Sequence, residues 1–195
     1  MNRARSRSGF SQLPARVRAL LGLSVGALLG GCTGVPEGIE PVTGFELDRY
    51  LGTWYEIARF DHRFERGLSE VTAVYSLRDD GGVKVINRGF EKESGTWKEA
   101  EGKAYFIESP DTGRLKVSFF GPFYGSYNIF ELDKEGYEYS MVTGNDRSYL
   151  WILAREPELT RETLDRLVAK AAELGFETEN LIYVEHGQPD LPPGL

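Results

Sequence analysis

Cysteine is almost absent from this chain of 195 residues, where Cys32 stands alone. A single thiol excludes an intramolecular disulfide and a thiolate metal cluster. Histidine is nearly as scarce. His62 and His186 are far apart in sequence and neither has a partner at metal-ligand spacing, so both read as loop or surface side chains. No metal and no cofactor is expected. No Ser/His/Asp arrangement suggests nucleophilic catalysis, so no catalytic residue is assigned and an enzyme is not expected. Long apolar runs are missing too: Ala19 to Leu29 holds 11 residues, whereas a spanning helix needs roughly 20. Basic residues are in deficit, with 23 Lys and Arg against 30 Asp and Glu. Nucleic acid and anionic headgroups are poor partners for such a surface.

What is present begins with the leader. Arg3, Arg5, Arg7, Arg16 and Arg18 accompany no acidic residue, and the apolar run then ends in Gly30 and Gly31 before Cys32. A positive segment, a short apolar segment and a small-residue cut site make residues 1–31 a secretory signal peptide. Leu29-Gly30-Gly31-Cys32 resembles a bacterial lipobox. The resemblance implies that the Cys32 thiol is diacylated, the leader removed, and the new N-terminus acylated, for example by palmitate. The membrane would then be a partner through N-terminal acyl chains, and several chains make that attachment stable. Thr33 stands where an inner-membrane retention signal would place Asp. The implied location is the outer membrane, facing the periplasm. Removing the leader takes five basic residues and no acidic one, leaving 164 residues with a net charge of −12.

Residues 32–44 are punctuated by Gly and Pro without periodicity and read as a lipidated tether. Residues 45–185 read as one domain, and 186–195 as a Pro-containing tail. Within the domain, β-rich runs are predicted at 53–60, 70–77, 83–90, 96–107, 115–120, 126–132, 137–143 and 150–154, separated by turn signals. Short strands at nearly regular spacing indicate an antiparallel sandwich or an up-and-down barrel. One helix follows. Thr160 suits its N-cap and Gly175 its C-terminal glycine, while Leu164, Leu167, Val168, Ala171 and Ala172 form one apolar stripe for packing outside the sheet. A short ninth strand is predicted at 181–184.

Several ordered motifs narrow the choice. Gly52-Thr-Trp54 opens the first strand, and Gly144-Asn-Asp146-Arg147 leads through Tyr149 and Trp151 to Arg155. Between them lie Val85-Ile-Asn87-Arg-Gly89, Glu101-Gly-Lys-Ala104 and the run from Leu115 to Gly125. Together they resemble the lipocalin family, in particular its bacterial outer-membrane lipoprotein branch, near apolipoprotein D and the plant temperature-induced lipocalins. The resemblance implies an all-β fold: an eight-stranded antiparallel up-and-down barrel, a C-terminal α-helix packed outside, and a short ninth strand. It places Gly52, Trp54 and Arg155 at the barrel closure, with the guanidinium across the indole.

A barrel of eight strands can hold one small ligand. Alternation from Trp54 puts Glu56 and Ala58 on its inward face. By the same rule Val71, Ala73, Tyr75 and Leu77 share a face, as do Val83, Val85 and Asn87. The resemblance turns Tyr75, Asn87, Phe119 and Trp151 into the cavity, and parity adds Tyr127 and Tyr139. Glu56, Tyr75, Asn87, Phe119, Tyr127, Tyr139 and Trp151 are therefore the candidate ligand-binding set. Arg59, Asp61, His62 and Arg63 follow the first strand and read as a solvated charge cluster at the open end. An apolar cavity without a cationic anchor suits an acyl chain, so the expected ligand is a fatty acid or lysophospholipid. The expected role is storage or transport in membrane maintenance; the alternatives are a solidly packed barrel serving as an assembly lipoprotein, and a cavity-based enzyme with Glu56 and an adjacent tyrosine as proton-transfer groups. The aromatic run from Phe119 to Tyr124 offers an exposed patch for a homodimer.

Overall fold

A computed structural model describes residues 33–187; the leader, Cys32 and positions 188–195 lie outside the described residues. Eight strands follow a one-turn helix α1 (Leu47–Tyr50). They are β1 (Gly52–Arg59), β2 (Leu68–Leu77), β3 (Val83–Glu91), β4 (Thr96–Phe106), β5 (Arg114–Ser118), β6 (Gly125–Leu132), β7 (Tyr139–Thr143) and β8 (Leu150–Ala154). Each pairs antiparallel with the next, and β1 pairs with both β2 and β8, which closes the sheet. Closure leaves no free edge among these eight strands. After the barrel the described residues form α2 (Arg161–Glu173), a 3₁₀ turn and β9 (Ile182–Tyr183).

The first half of β1 pairs with β2 through Gly52 to Tyr55, and the second half pairs with β9 at Ala58 and Arg59. A register shift between Glu56 and Ala58 marks the changeover. Such a bulge places two consecutive side chains on one face. Ile57 and Ala58 both pack outward, against the cluster formed with α2. The expectation that Ala58 shares the face of Trp54 is thereby overturned, and Arg59 turns inward instead.

Two apolar cores result, one on each side of the wall. Inside are Trp54, Tyr75, Val83, Val85, Leu115, Ile129 and Val142. Outside, Met141, Leu150, Ile152 and Phe176 meet Leu167 and Ala171 of α2. The helix starts where expected, because the Thr160 hydroxyl accepts from the Thr163 N–H at 3.2 Å, and it stops at Gly175 with φ +83°. Ala172, counted in the apolar stripe, is exposed. Residues 33–44 do not lead away as a tether; they are laid along the barrel wall. The Gly34 carbonyl accepts from Ser126 Oγ and Asn128 Nδ2, the Val42 N–H donates to Ile129, and Ile39 is buried.

Candidate functional site

The closed end is built on the glycine and tryptophan of the first motif. Gly52 has φ +93°, a conformation that favours glycine, and it lets the chain turn from α1 into β1. The Arg155 guanidinium lies 4.0 Å from the Trp54 ring. Its nitrogens donate to the carbonyls of Thr53, Arg49 and Tyr137, and the Trp54 Nε1–H donates to the Tyr50 carbonyl. Above this plug Tyr50, Tyr75 and Tyr127 join through their hydroxyls, with Tyr127 at 2.8 Å from each of the other two and Ser140 Oγ at 3.1 Å from Tyr50. Burial pushes the Tyr50 hydroxyl up to about 12 and raises those of Tyr75 and Tyr127, so all three stay protonated and serve as a neutral polar floor.

From that floor a cavity of about 750 Å³ rises to an opening among the β1–β2, β3–β4, β5–β6 and β7–β8 loops. Its wall includes Val71, Ala73, Val83, Val85, Leu115, Val117 and Leu153, together with Tyr75, Asn87, Phe119, Tyr127 and Trp151 of the candidate set. Asn87 Oδ1 has no hydrogen-bond partner, and Ser118 Oγ, also on the wall, has none. Gly102 makes room for Phe119: a Cβ there would sit 2.8 Å from the ring.

One candidate is not in the cavity. Tyr139 packs under α2, with the Arg166 guanidinium 5.0 Å from its ring centre. The six-residue β7–β8 loop fixes Val142 opposite Trp151, so Ser140 and Val142 face inward and Tyr139 outward. Counting back from Trp151 across that hairpin, rather than along β7 alone, would have found this. Leu77, assigned to the inward face, is 58% exposed because β2 runs past the floor.

Charge near the mouth differs most from expectation. Arg59 is 1% exposed, not solvated. Its Nη1 donates to Glu56 Oε1 at 2.7 Å, and its Nη2 donates to the carbonyls of Glu65 and Leu68, which fastens the β1–β2 loop. Glu65 accepts from the Trp151 indole N–H at 3.1 Å. Burial raises the carboxyl of Glu56 well above the ordinary range, with the nearby Glu65 adding to it and Arg59 opposing; burial raises Glu65 as well. Both carboxyls line the cavity. One cation between them satisfies one carboxylate, and the second retains its proton more readily.

The histidines are also buried rather than at the surface. His62 is 8% exposed and stacks on Phe64 at 4.3 Å; burial, helped by Arg59, holds its imidazole down to about 4. His186 shares a 2.8 Å hydrogen bond with the Glu56 carbonyl and ties the chain end across β1. Sequence reasoning missed Glu65 and Tyr50 altogether. Tyr50 ends the one-turn helix that leads into β1, where its carbonyl accepts from the Trp54 indole. Asp61 pairs with Arg66 at the surface, and Arg63 is exposed. Among the described residues, no group of three His, Cys, Asp or Glu is placed to hold a metal ion, and no helix is long and apolar enough to cross a membrane.

Comparison with known proteins agrees with this architecture. Residues 45–186 match the model of the lipocalin-like domain. The chain is 56% identical to "Outer membrane lipoprotein Blc" of Vibrio cholerae over 169 residues, covering 87% of this chain and 99% of that protein. It is 35% identical to temperature-induced lipocalin-1 of Arabidopsis thaliana, over 80% of this chain and 86% of the relative. Insecticyanin of the tobacco hornworm Manduca sexta superposes with a TM-score of 0.62 at 20% identity, covering 80% of this chain and 88% of that one. A closed eight-stranded barrel, an outer helix, a Trp–Arg plug and a family model spanning the whole barrel lead to one assignment: the chain belongs to the lipocalin family.

Proposed function

We propose that the protein is an outer-membrane lipoprotein, acylated at Cys32, that carries a single-chain lipid in its barrel for storage or transport in membrane maintenance. It acts by binding and release, not by catalysis. The observation that supports this most is the cavity: about 750 Å³, walled by apolar side chains and open at one end, the form that takes a long apolar ligand. The relative named an outer membrane lipoprotein covers 87% of this chain, which supports the anchor and its membrane.

The wall chemistry supports a choice of headgroup position. Arg59 is the buried cation near the cavity, and Glu56 and two carbonyls already occupy it. A ligand carboxylate pushed to that depth would meet Glu56 and Glu65 and lack a free cation, which costs several kcal/mol. The acyl chain therefore lies inside and the polar head at the mouth, near the exposed Arg63. Lysophospholipids are expected to bind at least as tightly as fatty acids of equal chain length. Trp151→Ala should weaken both about tenfold by removing wall contact, whereas Asn87→Leu should change either only slightly. Isothermal titration with a matched pair tests this. A clear preference for the fatty acid that survives Arg63→Ala would put its carboxylate deeper than the mouth and overturn the placement.

A further inference from the structure

The cavity opening is ringed by exposed phenylalanines. Phe64 on the β1–β2 loop is 60% exposed, and Phe120 and Phe123 on the β5–β6 loop are each 79% exposed. All three border the opening. The fold does not lack places to bury such rings: Phe45, Phe60, Phe130 and Phe176 are each at most 7% exposed. Large aromatics left in water on two separate loops, around one opening, mark a surface that is apolar by design.

The described chain begins beside this surface. Thr33 borders a hollow with Phe106, Ile107, Lys116, Pro122, Phe123 and Tyr124, and its carbonyl accepts from Arg114 Nη2 at 3.4 Å. Gly34 is held there by Ser126 and Asn128. Cys32 is one peptide unit further, and successive Cα atoms are about 3.8 Å apart. An acyl anchor on Cys32 thus leaves the barrel at a hollow that the rim residue Phe123 also lines.

We propose that the mouth docks on the bilayer that holds the anchor. Phe64, Phe120 and Phe123 enter the boundary between headgroups and acyl chains, as aromatic side chains of interfacial segments do. Docked in this way, the cavity opens onto the leaflet, and a single-chain lipid passes between bilayer and barrel without its chain crossing water. The net charge of −12 after leader removal means that ring insertion, not attraction to anionic lipid, drives the contact. Docking rests on the acyl anchor proposed above; the lipid surface is the committed occupant, and a second copy of the chain is the competitor.

The test uses lipidated full-length protein, isolated from membranes and reconstituted into phosphatidylcholine vesicles whose upper acyl carbons carry bromine, a contact quencher of indole. Phe123→Trp places the reporter at the rim and Leu77→Trp places it past the floor. Relative to the parent chain, the added Phe123→Trp emission should fall at least twofold in brominated vesicles, the Leu77→Trp emission should not change, and 0.5 M salt should leave both unaffected. Equal quenching of the two reporters, or none at Phe123→Trp, overturns the docking. An N-terminal peptide that is acylated at Cys32 in a chain whose Phe123→Trp reporter stays bright overturns docking alone; an unacylated peptide overturns the anchor and docking together. Loss of a dimer in Phe64→Ser/Phe120→Ser/Phe123→Ser, with the rim reporter unquenched, assigns the rim to a second copy and overturns it too.

Discussion

The two ends of this barrel are held by the same residue type in opposite ways. At the floor Arg155 spreads over an indole and donates to three carbonyls, with no carboxylate in the arrangement. Near the mouth Arg59 is buried between Glu56 and Glu65 and also donates to two carbonyls. The first arrangement needs no compensating charge because the guanidinium keeps an edge toward water, with its side chain part-buried. The second is a buried cation that requires a buried anion. The floor is thus a mechanical plug, and the mouth wall is an electrostatic clasp that fixes a loop.

That difference can be broken from either end. Truncating the plug should have the largest effect: Trp54→Ala is expected to cost about 3–5 kcal/mol, the usual range for a large buried aromatic. Arg155→Ala should cost less, and the two should couple by about 0.5–3 kcal/mol in a double-mutant cycle, measured by denaturant unfolding. Strict additivity would show that the stacking contributes nothing. At the clasp, Arg59→Met should cost about 3 kcal/mol, because it strands Glu56 without a cation. Adding Glu56→Gln should recover a substantial part of that loss. No equivalent rescue exists for Arg155, which has no anion to neutralise, and finding one would erase the contrast.

Acidification sharpens the comparison at the mouth alone. His62 is held to about 4 in the folded chain against 6.5 for the free side chain. Between those values the unfolded chain binds a proton that the folded chain does not. The stability His62 contributes is therefore intact above pH 6.5 and lost as pH falls toward 4. Glu56 and Glu65 have the opposite sign: with raised folded values, their contribution is present at low pH and lost as pH rises through those values. In His62→Phe the first trend disappears, so its melting temperature should gain several degrees on the parent between pH 7 and pH 4.5. A constant difference across that range would show that His62 is not desolvated.

The same contrast explains what could be read from the residues. The closure residues Gly52, Trp54 and Arg155 were legible because they belong to the motifs that carry the family resemblance, which needs no count along a strand. The resemblance pointed to Tyr75, Asn87, Phe119 and Trp151 in the same way and strand parity to Tyr127, and all five line the cavity. Alternation fails at the bulge between Glu56 and Ala58, and a single bulge sends every later side chain of the strand to the other face. Arg59 was therefore placed in solvent, although its position three residues after Glu56 is consistent with a pair. Tyr139 was lost for a related reason: parity along a five-residue strand has no anchor of its own, and only the hairpin register with Trp151 supplies one. The packing of residues 33–44 had no signal at all, since Gly and Pro suit a docked strap as well as a free tether.

The carrier role proposed for this chain depends on the cavity being occupied by one acyl chain. Native mass spectrometry of the protein extracted from outer membranes in mild detergent measures that directly. The expected spectrum shows a single added mass per barrel, equal to a fatty acid or a lysophospholipid, displaced on adding excess lysophospholipid and diminished in Trp151→Ala. A barrel that is empty on extraction and stays empty when offered either lipid would contradict the account.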